Sequence, residues 1–353
     1  MRKRNVMLLL LSLAGMMACN NDVPDSQNPI PYSSDTQLDD SADFEGRAAE
    51  GTPKTESDQN KLVLGDYQFS FKLGGYKRFY KLHVPAKYNG SAKVALVLDF
   101  HGILQSSTVQ QRVSGFAEKS EEEGFIVAYP EGISWANSGM AHSWNADSHQ
   151  GSACWDQRPY SWASFVGVDD IKYSVEVVED IARRFNIDRR RIYLTGISQG
   201  GAMALLLAHD RGDIFAAAAI VSSALLKDLD QYKPLRPIPV INFHGYNDET
   251  VPYEKPPCWN SVEDLSKQWA RANGCDCDHP TETSVEYPCF LDQTNREETR
   301  NEKITTYKSC KDNAEVRLYS LVGRHTLYNT NQHCGKQFIA DEAWDFLKRF
   351  AAP

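Results

Sequence analysis

Three side chains in this sequence have the types and the chain order needed to activate a nucleophile: Ser198, Asp248 and His325. Ser198 is the centre of Gly196-Ile197-Ser198-Gln199-Gly200, a G-x-S-x-G pentapeptide whose small residues let the chain turn sharply and hold Oγ clear of the backbone. A serine hydroxyl is a weak nucleophile until a base takes its proton, and that base needs an acid to orient it. Asp248 lies just beyond the apolar run 239–243, and His325 just beyond the run 316–320. Glu249 competes as the acid, and His244 or His333 as the base. The pentapeptide alone carries little weight, because about one chain in ten of this length shows it by accident. Its force comes from the elements around it.

An apolar strand at 191–195 runs directly into the pentapeptide, and a helix-forming stretch at 202–209 leaves it. That is the strand, elbow and helix the motif requires, and the free N–H groups at the helix start favour a developing oxyanion. The two expected donors are the N–H of Gln199 and that of Ile103, in Asp99-Phe100-His101-Gly102-Ile103, where Gly102 allows close backbone approach. His101 precedes Ser198 in the chain and is read as structural. Further short apolar runs at 94–100, 125–129, 216–221, 239–243 and 316–320 are expected as strands buried on both faces. Between them Ile171, Val175, Val178, Ala182 and Phe185 keep a helical stripe, and a last helix carries Phe338, Ile339, Ala343, Phe346, Leu347 and Phe350. An alternating pair, 67–73 and 77–84, joined by Gly74-Gly75, precedes them. The predicted fold is α/β, a doubly wound and mainly parallel sheet.

Two segments break the rhythm. Residues 132–167 are rich in aromatics, and 252–309 hold Cys258, Cys275, Cys277 and Cys289. Both follow predicted strands, where open α/β sheets place ligands. Trp144 and Trp155 of the aromatic segment suit stacking on a sugar or aryl group and equally suit anchoring the loop.

Arg2, Lys3 and Arg4, the apolar stretch 6–13 and Met16-Met17-Ala18-Cys19 read as a secretory signal over 1–18. Cys19 resembles the lipid-modified cysteine of a bacterial lipoprotein, and Asn20 after it resembles the outer-membrane or surface-directed type. Residues 19–61 are acidic and lack apolar periodicity, as a flexible tether would; the catalytic domain is expected over 62–353. Export places the remaining cysteines where disulfides persist. Cys275 and Cys277 are too close for a relaxed mutual bridge, so each is expected to pair at a distance, with Cys289 or Cys310 for example. A zinc site from the same four is the less favoured reading in that compartment. The net charge of −9, with no basic cluster, argues against nucleic acid as a partner.

The stretches 77–88, Phe100-His101-Gly102, Trp144-Asn145, Val168-Asp169-Asp170, 186–204, 244–253 and Asn273-Gly274-Cys275 resemble the polyhydroxybutyrate depolymerase and feruloyl esterase group of secreted α/β-hydrolases over roughly residues 62–353. The resemblance implies Ser198 as nucleophile, Asp248 as acid, His325 as base and a Cys275–Cys310 disulfide. It departs at the histidine, where Arg324 precedes and Leu327-Tyr328 follow instead of the group's usual glycine before and Trp-Pro after. It implies a serine ester hydrolase acting on feruloyl or acetyl esters of plant polysaccharide, or on polyhydroxyalkanoate; the triad chemistry needs no metal and no organic cofactor, and a monomer is expected. Its membrane contact is expected only through the lipid anchor. A serine peptidase and a non-catalytic polymer-binding lipoprotein are the rival readings.

Overall fold

Tyr67 to Leu73 alternates apolar and polar side chains, so one face of a strand can pack while the other meets water. In the computed structural model this stretch lies in β1 (Gly65–Leu73), which pairs antiparallel with β2 (Tyr76–Val84). Gly74 and Gly75 between them have φ of 58° and 87°, the left-handed pair that a two-residue hairpin turn demands and that glycine adopts freely. The described residues are 64–134, 142–146, 168–224, 229, 233–254, 260–285, 302–328 and 334–353, all within the unit Ala49–Pro353. The signal, the tether, Cys19 and Trp155 lie outside them.

After the hairpin come β3 (Val94–Phe100), α1 (Ser107–Val113), α2 (Phe116–Glu123), β4 (Ile126–Pro130), β5 (Ile133–Ser134), β6 (His142–Ser143), α3 (Asp170–Arg184) and β7 (Ile187–Ile197). The chain continues through α4 (Gln199–Asp210), β8 (Ala217–Val221), β9 (Val240–Gly245), α5 (Val262–Ala272), β10 (Thr281–Ser284), β11 (Lys303–Tyr307), β12 (Val316–Leu321) and α6 (Cys334–Leu347). Ten strands form one sheet in the order β1-β2-β4-β3-β7-β8-β9-β12-β11-β10. Neighbours from β4 to β12 pair in parallel, and the pairs at both ends are antiparallel. This is the doubly wound, mainly parallel sheet that the apolar runs predict.

Period-2 alternation splits the core in two. Leu96, Leu98 and Phe100 of β3 face the cluster filled by α3, α4 and α5, while Ala95 and Val97 face the cluster filled by α2 and α6. Helix α3 begins where the Asp169 side chain accepts from Lys172 N and ends beside Arg183 and Arg184, charges that suit the two ends of its dipole. Its buried stripe is Tyr173, Val177, Val178 and Ile181. The predicted Ile171, Ala182 and Phe185 are only partly buried at its margin, so the helix is turned by about one position from the sequence reading.

Part of the Cys-rich segment is regular. Ser261 caps α5 by accepting from Asp264 N, and Trp269, fully buried, donates through Nε1 to Ile238 O at 2.9 Å. Strands β10 and β11 extend the sheet edge. Cys275 and Cys310 are joined by a disulfide, as the resemblance implies. Among the described residues Cys277 is a free thiol.

Candidate active site

Strand β7 ends at Ile197, and Ser198 adopts φ 55°, ψ −123° before α4 begins. A non-glycine residue held there costs on the order of 1 kcal/mol or more, so its surroundings must impose it. A Cβ on Gly196 would stand 2.6 Å from the carbonyl of Gly200 and 2.8 Å from Phe100 O. A Cβ on Gly200 would overlap Phe100 O outright. Both glycines are therefore needed to seat the elbow against the end of β3. Ser198 N donates to Val221 O at 3.0 Å, and Ser223 Oγ donates to Ser198 O at 2.6 Å. The backbone is clamped while the hydroxyl, at the helix N-cap, makes no capping bond.

The predicted oxyanion donors flank this serine. Gln199 opens α4, so its N–H has no partner one turn earlier in the helix. Its side chain exchanges two hydrogen bonds of 3.1 Å with the Trp144 main chain. A Cβ on Gly102 would lie 3.5 Å from Ser198 Cβ, which puts the turn carrying Ile103 against the nucleophile. Gly102 N donates to Gln105 Oε1 at 3.1 Å. His101 is structural, as expected: it is fully buried, its Nε2 accepts from Gly132 N at 3.0 Å, and burial lowers its pKa.

Asp248 and His325 form a pair. His325 Nδ1 is 2.9 Å from Asp248 Oδ2 and 3.1 Å from Oδ1. Asp248 Oδ1 also accepts from Thr250 N at 2.9 Å and Val251 N at 2.8 Å. Burial acts to raise the Asp248 carboxyl, yet hydrogen bonds from His244 and His325, with their charges, outweigh it and hold the group well below the usual carboxylate range. Glu249, the competing acid, is exposed; His333 lies outside the described residues. The loops carrying the pair are fastened together. Tyr246 N donates to Leu321 O at 2.8 Å and Asn247 N to Gly323 O at 3.0 Å, and a Cβ on Gly245 would overlap Gly323 O. Ser198, Asp248 and His325 thus follow β7, β9 and β12 at one edge of the parallel sheet.

Trp144 needs a correction. Its ring is fully buried, packed edge-on to Phe100 at 5.2 Å and against His101 at 4.8 Å, with Nε1 donating to His101 O at 2.9 Å. It anchors the aromatic segment and offers no face for a substrate to stack on.

Sequence reasoning missed a second carboxylate and histidine. His142 Nδ1 lies 2.8 Å from Glu131 Oε1, and Glu131 also accepts from Ser107 N at 2.9 Å. Burial acts to raise Glu131, but the His142 hydrogen bond, the neighbouring histidine charges and Ser107 bring it down to about 2. Leu104, at φ 63°, donates from its N–H to His142 O at 2.8 Å, so this pair braces the turn that carries Ile103. Arg78 and Asp170, a buried ion pair at 2.6 Å, extend the brace, because Asp170 Oδ2 accepts from Asn145 N at 2.7 Å. Arg78 and Asp170 are distant in sequence, and Glu131 and His142 meet only because β5 and β6 pair. Among the described residues no cluster of three or more His, Cys, Asp or Glu is placed to hold a metal ion, and no helix is long and apolar enough to cross a membrane.

The chain is similar to feruloyl esterase B of Piromyces equi, 26% identical over 76% of this chain and 44% of that protein. It is also similar to the bifunctional acetylxylan esterase/xylanase XynS20E of Neocallimastix patriciarum, 25% identical over 76% of this chain and 33% of that one. It therefore spans less than half the length of these curated relatives. Among solved structures, the acetyl xylan esterase from Aspergillus awamori aligns with a TM-score of 0.52 at 17% identity, covering 77% of this chain and 94% of that one. A thermostable esterase aligns with a TM-score of 0.51 at 19% identity, covering 81% of this chain and 63% of that one. That likeness fixes the fold as the α/β-hydrolase fold. The Esterase family model matches residues 75–341, a span that includes the elbow, both carboxylate–histidine pairs and the Ile103 turn, and the chain belongs to the Esterase family.

Proposed function

We propose that this protein is a serine carboxylic-ester hydrolase working through an acyl-enzyme, with feruloyl or acetyl esters of plant polysaccharide as its substrates. The observation that carries the reading is the Asp248–His325 pair held at the same sheet edge as the strained Ser198 elbow. His325 Nε2 takes the Ser198 proton as Oγ attacks the ester carbonyl, and Asp248 stabilises the imidazolium that forms. The N–H groups of Gln199 and Ile103 receive the oxyanion. His325 then returns its proton to the leaving alcohol, and water repeats the sequence to release the acid. The substrate class follows the names of the two relatives that match most of this chain.

The signal at 1–18, Cys19 and the Cys275–Cys310 disulfide support an exported, lipid-anchored enzyme. A fluorophosphonate should form a covalent adduct that vanishes in Ser198→Ala; no adduct on the folded wild-type chain would sink the catalytic reading. Methyl ferulate, acetylated xylan, polyhydroxybutyrate and peptide anilides assayed side by side test the substrate. Hydrolysis confined to the last two would overturn the polysaccharide assignment.

A further inference from the structure

Asp248 is flanked by two histidines, and the mechanism uses only one. His244, fully buried at the end of β9, lies with Nε2 3.3 Å from Asp248 Oδ2 and 2.8 Å from Val251 O. Both neighbours are acceptors, so the proton is on Nε2 and is shared between them. His244 Nδ1 is buried with no hydrogen-bond partner among the described residues, and the fold bears the cost of that bare nitrogen. The ring is confined: Tyr253 packs edge-on to it at 5.9 Å, and the Tyr253 hydroxyl is itself fixed by Ser320 Oγ at 2.6 Å. Val251 is tied to both ends of the arrangement, its N–H donating to Asp248 Oδ1 and its carbonyl accepting from His244.

We infer that His244 is a positioning residue, whose Nε2–H holds Asp248 Oδ2 in the orientation that His325 Nδ1 meets. The two backbone donors, Thr250 N and Val251 N, both reach Oδ1. They leave the carboxylate free to pivot about that oxygen. His244 supplies a donor to the other oxygen, and the carboxylate plane is then fixed. The inference rests on the reading of Asp248 as the acid of the triad.

The test compares His244→Leu, His244→Gln and Asp248→Asn with the wild-type full chain on one p-nitrophenyl ester, with thermal melts to establish folding. A glutamine Nε2 can donate from nearly the position of the histidine Nε2; leucine cannot donate. His244→Leu is expected to lose about tenfold to a hundredfold in kcat with KM within about twofold, and His244→Gln to recover most of that loss. A folded His244→Leu with wild-type kcat, or a glutamine variant no better than leucine, overturns the positioning role. If His244→Leu does not fold, nitrogen-15 spectra of histidine-labelled wild-type protein decide the matter: the proton is expected on His244 Nε2, and finding it on Nδ1 ends the proposal. Asp248→Asn separates the two readings. Retained activity there removes Asp248 from the mechanism whatever His244 does.

Discussion

Asp248, buried, and Glu131, partly buried, each hold a histidine, and only the first of these pairs takes part in the proposed mechanism. Asp248 with His325 and Glu131 with His142 have nearly the same contact, 2.9 and 2.8 Å, and both histidine side chains are 18% exposed. Both carboxyls are pulled below their ordinary range against burial, Asp248 by hydrogen bonds and charge from His244 and His325, Glu131 by its His142 hydrogen bond, the His101 and His142 charges and the Ser107 hydroxyl. What differs is the strand each follows. Strands β4, β9 and β12 all run parallel to β7 and end at the edge that carries Ser198, but Asp248 and His325 follow β9 and β12 on one side of β7, whereas Glu131 follows β4 on the other side and meets His142 of β6, whose carbonyl accepts from Leu104 N beside the Ile103 turn. A carboxylate–histidine contact is thus a device for fixing a ring. In the proposed mechanism the side of β7 on which the pair stands decides whether the ring moves a proton or braces a loop.

The contrast is sharpest in turnover. Asp248→Asn is expected to lower kcat by about four orders of magnitude, while Glu131→Gln, which leaves the proposed proton-transfer residues alone, costs about tenfold or less. Equal losses in steady-state assays would erase the distinction. Next in size is Gly245→Ala, whose added Cβ forces the Asp248 loop away from Gly323 and leaves Glu131–His142 untouched. A kcat loss of about a hundredfold is expected from such a displacement; unchanged kcat would show that the loops tolerate separation.

The acid side of stability probes the bracing pair. Glu131 sits at about 2 in the folded chain against an ordinary 4.5, so its contribution is fully present above 4.5 and is lost as pH falls from there toward 2. Melting temperatures of Glu131→Gln should therefore fall less steeply than wild type across that window; parallel curves would contradict it. Asp248, lower still, gives way at more acidic pH.

Asp99 supplies the smallest effect and the control. This fully buried carboxyl has no histidine, only Gln110 Nε2 at 2.7 Å and Ser114, and burial pushes it up to about 7 from 3.8. The folded chain resists losing that proton, so stability declines as pH rises from 3.8 to about 7. Asp99→Asn should gain a few degrees in melting temperature near pH 8 and nothing near pH 4. A gain that is the same at both values would assign the effect to packing.

Much of this was legible in sequence because strand ends are marked by composition. The apolar run before Ser198, Asp248 and His325 in each case is a strand buried on both faces, and the residue just past it must emerge at the edge. Glu131 carries the same mark, just past the apolar run 125–129, but His142 does not, and their meeting depends on the short β5–β6 pairing inside an aromatic segment. Helix α5 is legible in Val262, Leu265, Trp269 and Ala270 at helical spacing, although it lies inside the segment 252–309 that breaks the strand–helix rhythm. The α3 stripe was misplaced because Val175 and Val177 are equally apolar, and only packing against the sheet decides which faces in.

The outermost strands have a consequence of their own. A parallel block left bare would offer rows of unpaired N–H and C=O groups to any passing chain, a template for aggregation. One border here is β10, four residues long and exposed throughout, with Glu282 bound to Lys303 of β11. The other is β1, whose outward residues include Asp66, Gln68, Ser70 and Lys72. Short length at β10 and outward polar and charged side chains at β1 make both borders poor templates, so the sheet that carries the Ser198 elbow is also protected from growing onto a second copy of itself.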